Sequence, residues 1–328
     1  MLRPFRLTAA AALLLPPLLV VGTAPATAEG SLPDTYTLFG DAGGSQFEGI
    51  AMAPGRKTFY VSEVTGGEIH RGQVDQQKTT EWLDEDAAAR DGRSIAVGVA
   101  TDSEGRVYVA GGGNRTQPGA AADAPDFWIY DDDGDLLAAL RMPVDGPVFL
   151  NDVVVGPDGA AYVTDSTTPR IFRIAGKGHR WQATLWASPS TDGPQQKGDI
   201  GLNGIEVAPD GESLIVAQTD VGALWRYDLE TTEPTRIDTG TVDLTFVDGL
   251  VVRRHTVVAI RNFPHVLTYL RLDDDATSAH LRAEVPTSAD RVFTTGDVSH
   301  GRLLLVDSQF DENPPSQNSE VVARPFSP

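Results

Sequence analysis

Two carboxylates and two amides stand at matching places in this chain, each at the start of a short apolar run. They are Glu48 in Phe47-Glu48-Gly49, Asn151 in Leu150-Asn151-Asp152, Asn203 in Leu202-Asn203-Gly204 and Asp248 in Val247-Asp248-Gly249. Brought to one point they would offer four oxygen donors and two negative charges, with water completing the shell. Such a donor set suits Ca²⁺, a hard cation that takes carboxylate and amide oxygens. It suits Zn²⁺ poorly, because Zn²⁺ favours nitrogen and sulfur. Asn and Asp also cap turns before strands. Capping alone leaves unexplained why a polar residue recurs at one register in separate units.

Those units position the four residues. Phe149 to Ser166, FLNDVVVGPDGAAYVTDS, reads as one hairpin: a β-branched run at Val153-Val154-Val155, a Gly156-Pro157-Asp158-Gly159 turn, and a returning Ala161-Tyr162-Val163-Thr164. The same hairpin returns at Leu202 to Thr219, with Ala208-Pro209-Asp210-Gly211 as its turn. Carried along the chain, this register marks Glu48, Val97, Asn151, Asn203, Asp248 and a residue near Phe293, at intervals of 49, 54, 52, 45 and 45 residues. A period near fifty with four strand-like segments per unit predicts propeller blades. In a propeller the innermost strand of every blade faces the axis, so one matched position converges there.

The fold expected is therefore all-β, a six-bladed β-propeller with four-stranded antiparallel blades. The sixth unit lacks an outer strand after Val321 to Arg324, and Thr35 to Phe39, TYTLF, has the alternation to supply it and close the ring. Only the segment from Asp84 to Asp91 reads as helix.

Residues 1–28 carry two arginines, an apolar run from Leu7 to Val21 and small residues at Ala26-Thr27-Ala28. This is the pattern of a signal peptide cleaved near Ala28. It leaves 29–328 as a single exported domain, expected to be monomeric. The formal charge of −20 excludes the basic faces that nucleic acid and anionic membranes require, and removing the leader makes the charge more negative. With no cysteine, neither disulfides nor thiolate chemistry is available.

Four such strand openings, in this order and spacing around all six units, resemble the regucalcin/gluconolactonase family and its six-bladed relatives, the paraoxonases and diisopropyl fluorophosphatases. The resemblance implies that Glu48, Asn151, Asn203 and Asp248 hold a divalent cation, Ca²⁺ or another, at the end of the channel. It also implies hydrolysis of lactones or phosphotriesters.

A cation with open positions polarises a lactone carbonyl and stabilises the oxyanion formed when water attacks. Asp248 is the first candidate for the base, serving as ligand and catalytic residue together. His300 is the second, although it aligns with a turn. Histidines 70, 179, 255, 265 and 280 show no metal-like spacing. Asp152, beside Asn151, is the candidate substrate contact. The loops at Gly111 to Pro125, Ser188 to Gly201 and Gln309 to Ser319 are either specificity loops or ordinary connectors.

Other motifs are set aside. Asp131-Asp132-Asp133-Gly134-Asp135 lacks the spacing of a calcium loop and reads as a turn, and Asn114-Arg115-Thr116 is a sequon by pattern only. No nucleophile elbow, P-loop or dinucleotide fingerprint is present. Two functions remain: a secreted Ca²⁺-dependent hydrolase of lactones or related esters acting on a small molecule, or a non-catalytic propeller that binds a ligand or partner around a structural Ca²⁺.

Overall fold

Val153, Val154 and Val155 pair with Val163, Tyr162 and Ala161 across a turn in which Gly159 takes a φ of 75°, a conformation that costs Gly little. The hairpin of the fourth unit closes the same way through Gly211, with a φ of 68°. The computed structural model describes residues 31–177 and 180–328; the expected leader, 1–28, and His179 lie outside the described residues. Within them the strands form six sheets of four, each antiparallel. Their innermost strands are Phe47–Met52, Val99–Thr101, Leu150–Val155, Leu202–Val207, Val247–Arg253 and Phe293–Ser299. The expected six-bladed propeller is thus the fold, and Glu85–Asp91 is its one α-helix among the described residues. That helix is capped by Asp84, whose side chain accepts the Ala87 amide, and ends at Gly92 with a φ of 70°.

The ring closes as the alternation of Thr35–Phe39 predicts. This strand pairs antiparallel with Asn318–Pro325, in a register running from Thr35 opposite Val322 to Phe39 opposite Asn318. The sixth blade therefore takes its outer strand from the other end of the chain. Both strands would otherwise present an unpaired edge.

Each hydrophobic cluster lies between two neighbouring blades. In the strand Ser213–Gln218, Leu214 and Val216 pack toward the third blade while Ile215 and Ala217 pack toward the fifth. In Arg302–Asp307, Leu303 and Leu305 face the fifth blade and Leu304 and Val306 face the first. Strands buried on both faces read as unbroken apolar runs rather than alternating ones. Among the described residues no helix is long and apolar enough to cross a membrane.

Candidate metal-binding site at the channel mouth

Five of the six innermost strands share an irregularity at their start. In the first blade Phe47 pairs with Glu63 and Ile50 with Val61, so two residues oppose one, and the same shift separates Leu150 from Val153, Leu202 from Ile205, Val247 from Leu250 and Phe293 from Gly296. This is a β-bulge, which re-aims a side chain. The first bulged residue of each strand is Glu48, Asn151, Asn203, Asp248 and, in the sixth blade, Thr294. Of the residues near Phe293, Phe293 itself pairs with Asp307, and the neighbouring Thr294 takes the matched place, its Oγ1 donating to the Glu48 carbonyl at 2.9 Å. In the second blade Val97 holds the place, as read.

The second bulged residue is Gly49, Gly204 and Gly249 in three of these blades, and Gly98 holds the matching place in the second blade. A Cβ at Gly98 would lie 2.4 Å from the Asn151 carbonyl oxygen and one at Gly204 would lie 2.6 Å from that of Asp248. Neighbouring strands therefore approach each other where the polar side chains emerge. Hydroxyls stitch the same level: Ser62 accepts the Gly49 amide and donates to the Val97 carbonyl, and Thr164 accepts the Asp152 amide and donates to the Asn203 carbonyl at 2.8 Å.

Glu48, Asn151, Asn203 and Asp248 line one cavity of about 480 Å³, each at most 6% exposed. The orientation of Asn151, Asn203 and Asp248 is set by residues just after the second strand of their blades, which the sequence reading did not single out. Asn151 Nδ2 donates to Ser166 Oγ and Asn203 Nδ2 to Thr219 Oγ1, both at 3.1 Å, while Asn262 Nδ2 donates to Asp248 Oδ2 at 2.8 Å. Ser166 and Thr219 donate in turn to the Leu202 and Val247 carbonyls, at 2.6 Å each. An amide whose nitrogen is tied back in this way turns its oxygen the other way. Asn151 Oδ1 is buried and has no hydrogen-bond partner. The signal for these residues was present: a Ser, Thr or Asn lies 14 to 16 residues after each of Asn151, Asn203 and Asp248.

Among the described residues no Lys, Arg or His lines the cavity. Burial pushes the Asp248 carboxyl up to about 7, against the pull of the Asn262 and Asn203 amides, with Asp152 adding repulsion. Burial, then the charges of Asp248 and Asp152, holds Glu48 well above the ordinary carboxylate range. Two buried carboxylates with no cationic side chain beside them, and a buried amide oxygen without a donor, fit a hard divalent cation. Among the described residues no three His, Cys, Asp or Glu side chains cluster as metal ligands. The donor set here is two carboxylates completed by amide oxygens.

Asp152 is placed elsewhere. It occupies the position that is Gly in the neighbouring blades, and its carboxylate accepts the amides of Val153 at 2.8 Å and, on the next blade, Ile205 at 3.1 Å. It lines the cavity of about 400 Å³ along the rest of the channel, not the mouth. The innermost edges have no partner strand, and such carboxylates supply one: Asp297 accepts the Met52 amide at 2.8 Å and Glu206 that of Val252. Asp152 is therefore a strut between blades rather than a substrate contact. His300 sits exposed on a turn, with a φ of 49° and its ring nitrogen against Ser299 Oγ, so it is not a base for this site.

Of the three loops, Ser188 to Gly201 reaches the mouth with Asp199 and Ile200, and Gln309 to Ser319 with Phe310. Gly111 to Pro125 instead wraps Asn114, whose side chain accepts from Ser94 and donates to the Gly92 and Pro125 carbonyls. Asp131 to Asp135 is a turn, the Asp131 carboxylate accepting the Asp133 and Asp135 amides.

Similar folds occur in solved structures. A gluconolactonase from Xanthomonas campestris is 18% identical, with a TM-score of 0.59 over 89% of this chain and 91% of its own. The Malassezia sympodialis allergen Mala s 1 is 16% identical, with a TM-score of 0.65 over 89% and 96%. A regucalcin from Agrobacterium tumefaciens, described as a calcium-binding protein, is 18% identical, with a TM-score of 0.58 over 84% and 89%. At these identities the likeness is one of fold. No curated protein matches the chain. The sequence model described as SGL, SMP-30/Gluconolactonase/LRE-like region, matches residues 48–260, from the first cage residue to beyond the last. This chain belongs to the SMP-30/gluconolactonase/LRE-like family.

Proposed function

We propose that the protein is an exported, divalent-cation-dependent hydrolase of lactones or related carboxylic esters, with Ca²⁺ the cation its donor set favours. The observation that carries this reading is the buried pair Glu48 and Asp248, without a cationic neighbour, facing the unpartnered Asn151 Oδ1. Family membership supports lactone hydrolysis, and the leader pattern supports export.

A divalent cation held by Glu48, Asn151, Asn203 and Asp248 supplies Lewis-acid polarisation of the ester carbonyl. Asp248, fixed through Oδ2 by Asn262, accepts the proton of the water that attacks the carbonyl carbon. As the ring C–O bond breaks, the proton passes to the leaving alkoxide, and the product is a hydroxy acid. Ser166 holds the nitrogen of Asn151, leaving its oxygen free, and Thr219 holds the nitrogen of Asn203.

One feature favours the second reading, a propeller that binds its ligand without turnover. Among the described residues no His or Lys lines the cavity, which leaves base work to a residue that also serves the cation. Assaying chelator-stripped protein against a lactone panel, before and after Ca²⁺ is restored, separates the two. Turnover lost on chelation and regained with Ca²⁺ is expected. Turnover indifferent to chelation contradicts the cation's role, and chelator-sensitive melting without turnover supports the binder.

A further inference from the structure

Apolar side chains line much of the same cavity: Val97, Phe149, Ile200, Phe246, Phe263 and Phe310, with Phe149 and Phe246 each two residues before a member of the polar set. Phe246 and Phe263 are 50% and 46% exposed and meet edge to face, with ring centroids 6.0 Å apart. Large apolar side chains left in water around a concavity mark a place where something apolar binds. Phe246 also holds a φ of 60°, a conformation disfavoured for an aromatic residue, immediately before Val247 and Asp248.

Apart from the exposed Asp199, the polar side chains around the same mouth are already committed to the protein. Thr219 bonds Asn203 and the Val247 carbonyl, and Asn262 bonds Asp248 and the Phe263 amide. The Thr245 hydroxyl donates to Asp243, and the Asp220 carboxylate accepts the Lys197 and Gly198 amides and the Gln218 side chain. Few groups are left to receive the hydroxyls of a sugar. Among the described residues the charged side chains lining the cavity are the carboxylates Glu48, Asp199, Asp220 and Asp248, so that with a divalent cation balancing the cage pair, Asp199 and Asp220 still disfavour an anionic substrate.

Building on the hydrolase reading, we propose that the site selects uncharged lactones or esters carrying an alkyl or aryl substituent, seated on Phe246, Phe263 and Phe310, over polyhydroxylated lactones. The cation and Asp248 work on the ester head, and the aromatic rim holds the substituent.

The test uses δ-lactams, which keep the ring and carbonyl but resist hydrolysis, so binding is read independently of turnover. Calorimetry on the Ca²⁺-loaded full chain compares unsubstituted δ-valerolactam, its hexyl derivative and the polyhydroxylated gluconolactam. Each methylene that enters the rim should add about threefold to fourfold in affinity. The hexyl compound should thus bind at least roughly tenfold more tightly than the parent, and gluconolactam no more tightly than the parent. The Phe246→Ser/Phe263→Ser variant should flatten the chain-length dependence, and the corresponding Leu variant should restore most of it. Gluconolactam binding more tightly than the hexyl lactam, or no dependence on chain length, overturns the proposal. Assaying the matching lactones separates the two claims. Alkyl selectivity in binding without any turnover leaves the rim standing and removes the hydrolase. Turnover that favours the sugar lactone, with gluconolactam the tighter ligand, does the reverse.

Discussion

Ser166 and Thr219 are not among the four cage residues, yet each holds the side-chain amide of one of them. Groups that hold metal ligands in place are worth tenfold to a hundredfold in affinity, roughly. Ser166→Ala and Thr219→Val should each weaken Ca²⁺ binding on that scale. Each should also cost about 1 kcal/mol of stability, because the hydroxyls bond the next blade's carbonyls. Calorimetric titration and urea denaturation read the two effects separately. A second prediction concerns pH. Without cation, Asp248 sits at about 7 and Glu48 well above the usual range, so the folded state binds more protons than the unfolded one between the ordinary carboxylate range and about pH 7. Stability contributed by this pair is therefore lost as pH rises through that window. Glu68, raised to about 7, and Asp307, raised to about 6, act in the same direction, so the cation-dependent difference isolates the pair. Saturating Ca²⁺ should stabilise the protein more at pH 8 than at pH 5 in urea denaturation, since protons and cation compete for the same oxygens.

The innermost strands show what was legible beforehand and what was not. The repeat located Glu48, Asn151, Asn203 and Asp248 because a matched register is written in the spacing of hairpins, and a two-residue bulge preserves that register in every blade that has one. The sixth position was legible only to within a residue of Phe293 because that strand lacks a Gly or Asp after its polar residue, so Thr294 carries no marker. Asp152 stands where the first, second, fourth and fifth blades have Gly: it fills the close approach with a carboxylate that caps Ile205, which only the juxtaposed backbones reveal. The aromatic rim was not read, since Phe263 and Phe310 lie in the connections after second strands and Phe246, although two residues before Asp248 as Phe149 is before Asn151, precedes the apolar run that marked its unit. That close approach makes its own prediction. At Gly98 an added Cβ meets the Asn151 carbonyl oxygen at 2.4 Å and the Asp152 Cα at 2.7 Å, both backbone, whereas at Gly43 it meets nothing within 4 Å. Gly98→Ala should cost about 1–3 kcal/mol and weaken Ca²⁺ binding through Asn151, and Gly43→Ala should do neither. Denaturation of the two variants side by side, followed by calcium titration, checks this.

The ring as a whole depends on strand Thr35–Phe39, which carries Tyr36 and Leu38 into the cluster between the sixth and first blades. Tyr36 also donates to the Val74 carbonyl at 2.9 Å, and Thr37 bridges to Lys78, so the strand ties the last blade to the first. Leu38→Ala should cost about 2–5 kcal/mol. Because the cage draws on blades all around the ring, added Ca²⁺ at 100 times its Kd should return about 2.7 kcal/mol in the wild type. The same convergence supplies the most direct test of the central claim, a calcium titration of chelator-stripped wild type and Asp248→Asn, following binding and lactone hydrolysis in the same samples. Asn keeps the shape and the turn-capping ability of Asp but removes one of the two negative charges and the base. The account predicts weakened Ca²⁺ affinity, with hydrolysis still lower by roughly 10²–10⁴-fold once the cation is saturating. Unchanged affinity together with unchanged rate would remove Asp248 from the site and contradict the account.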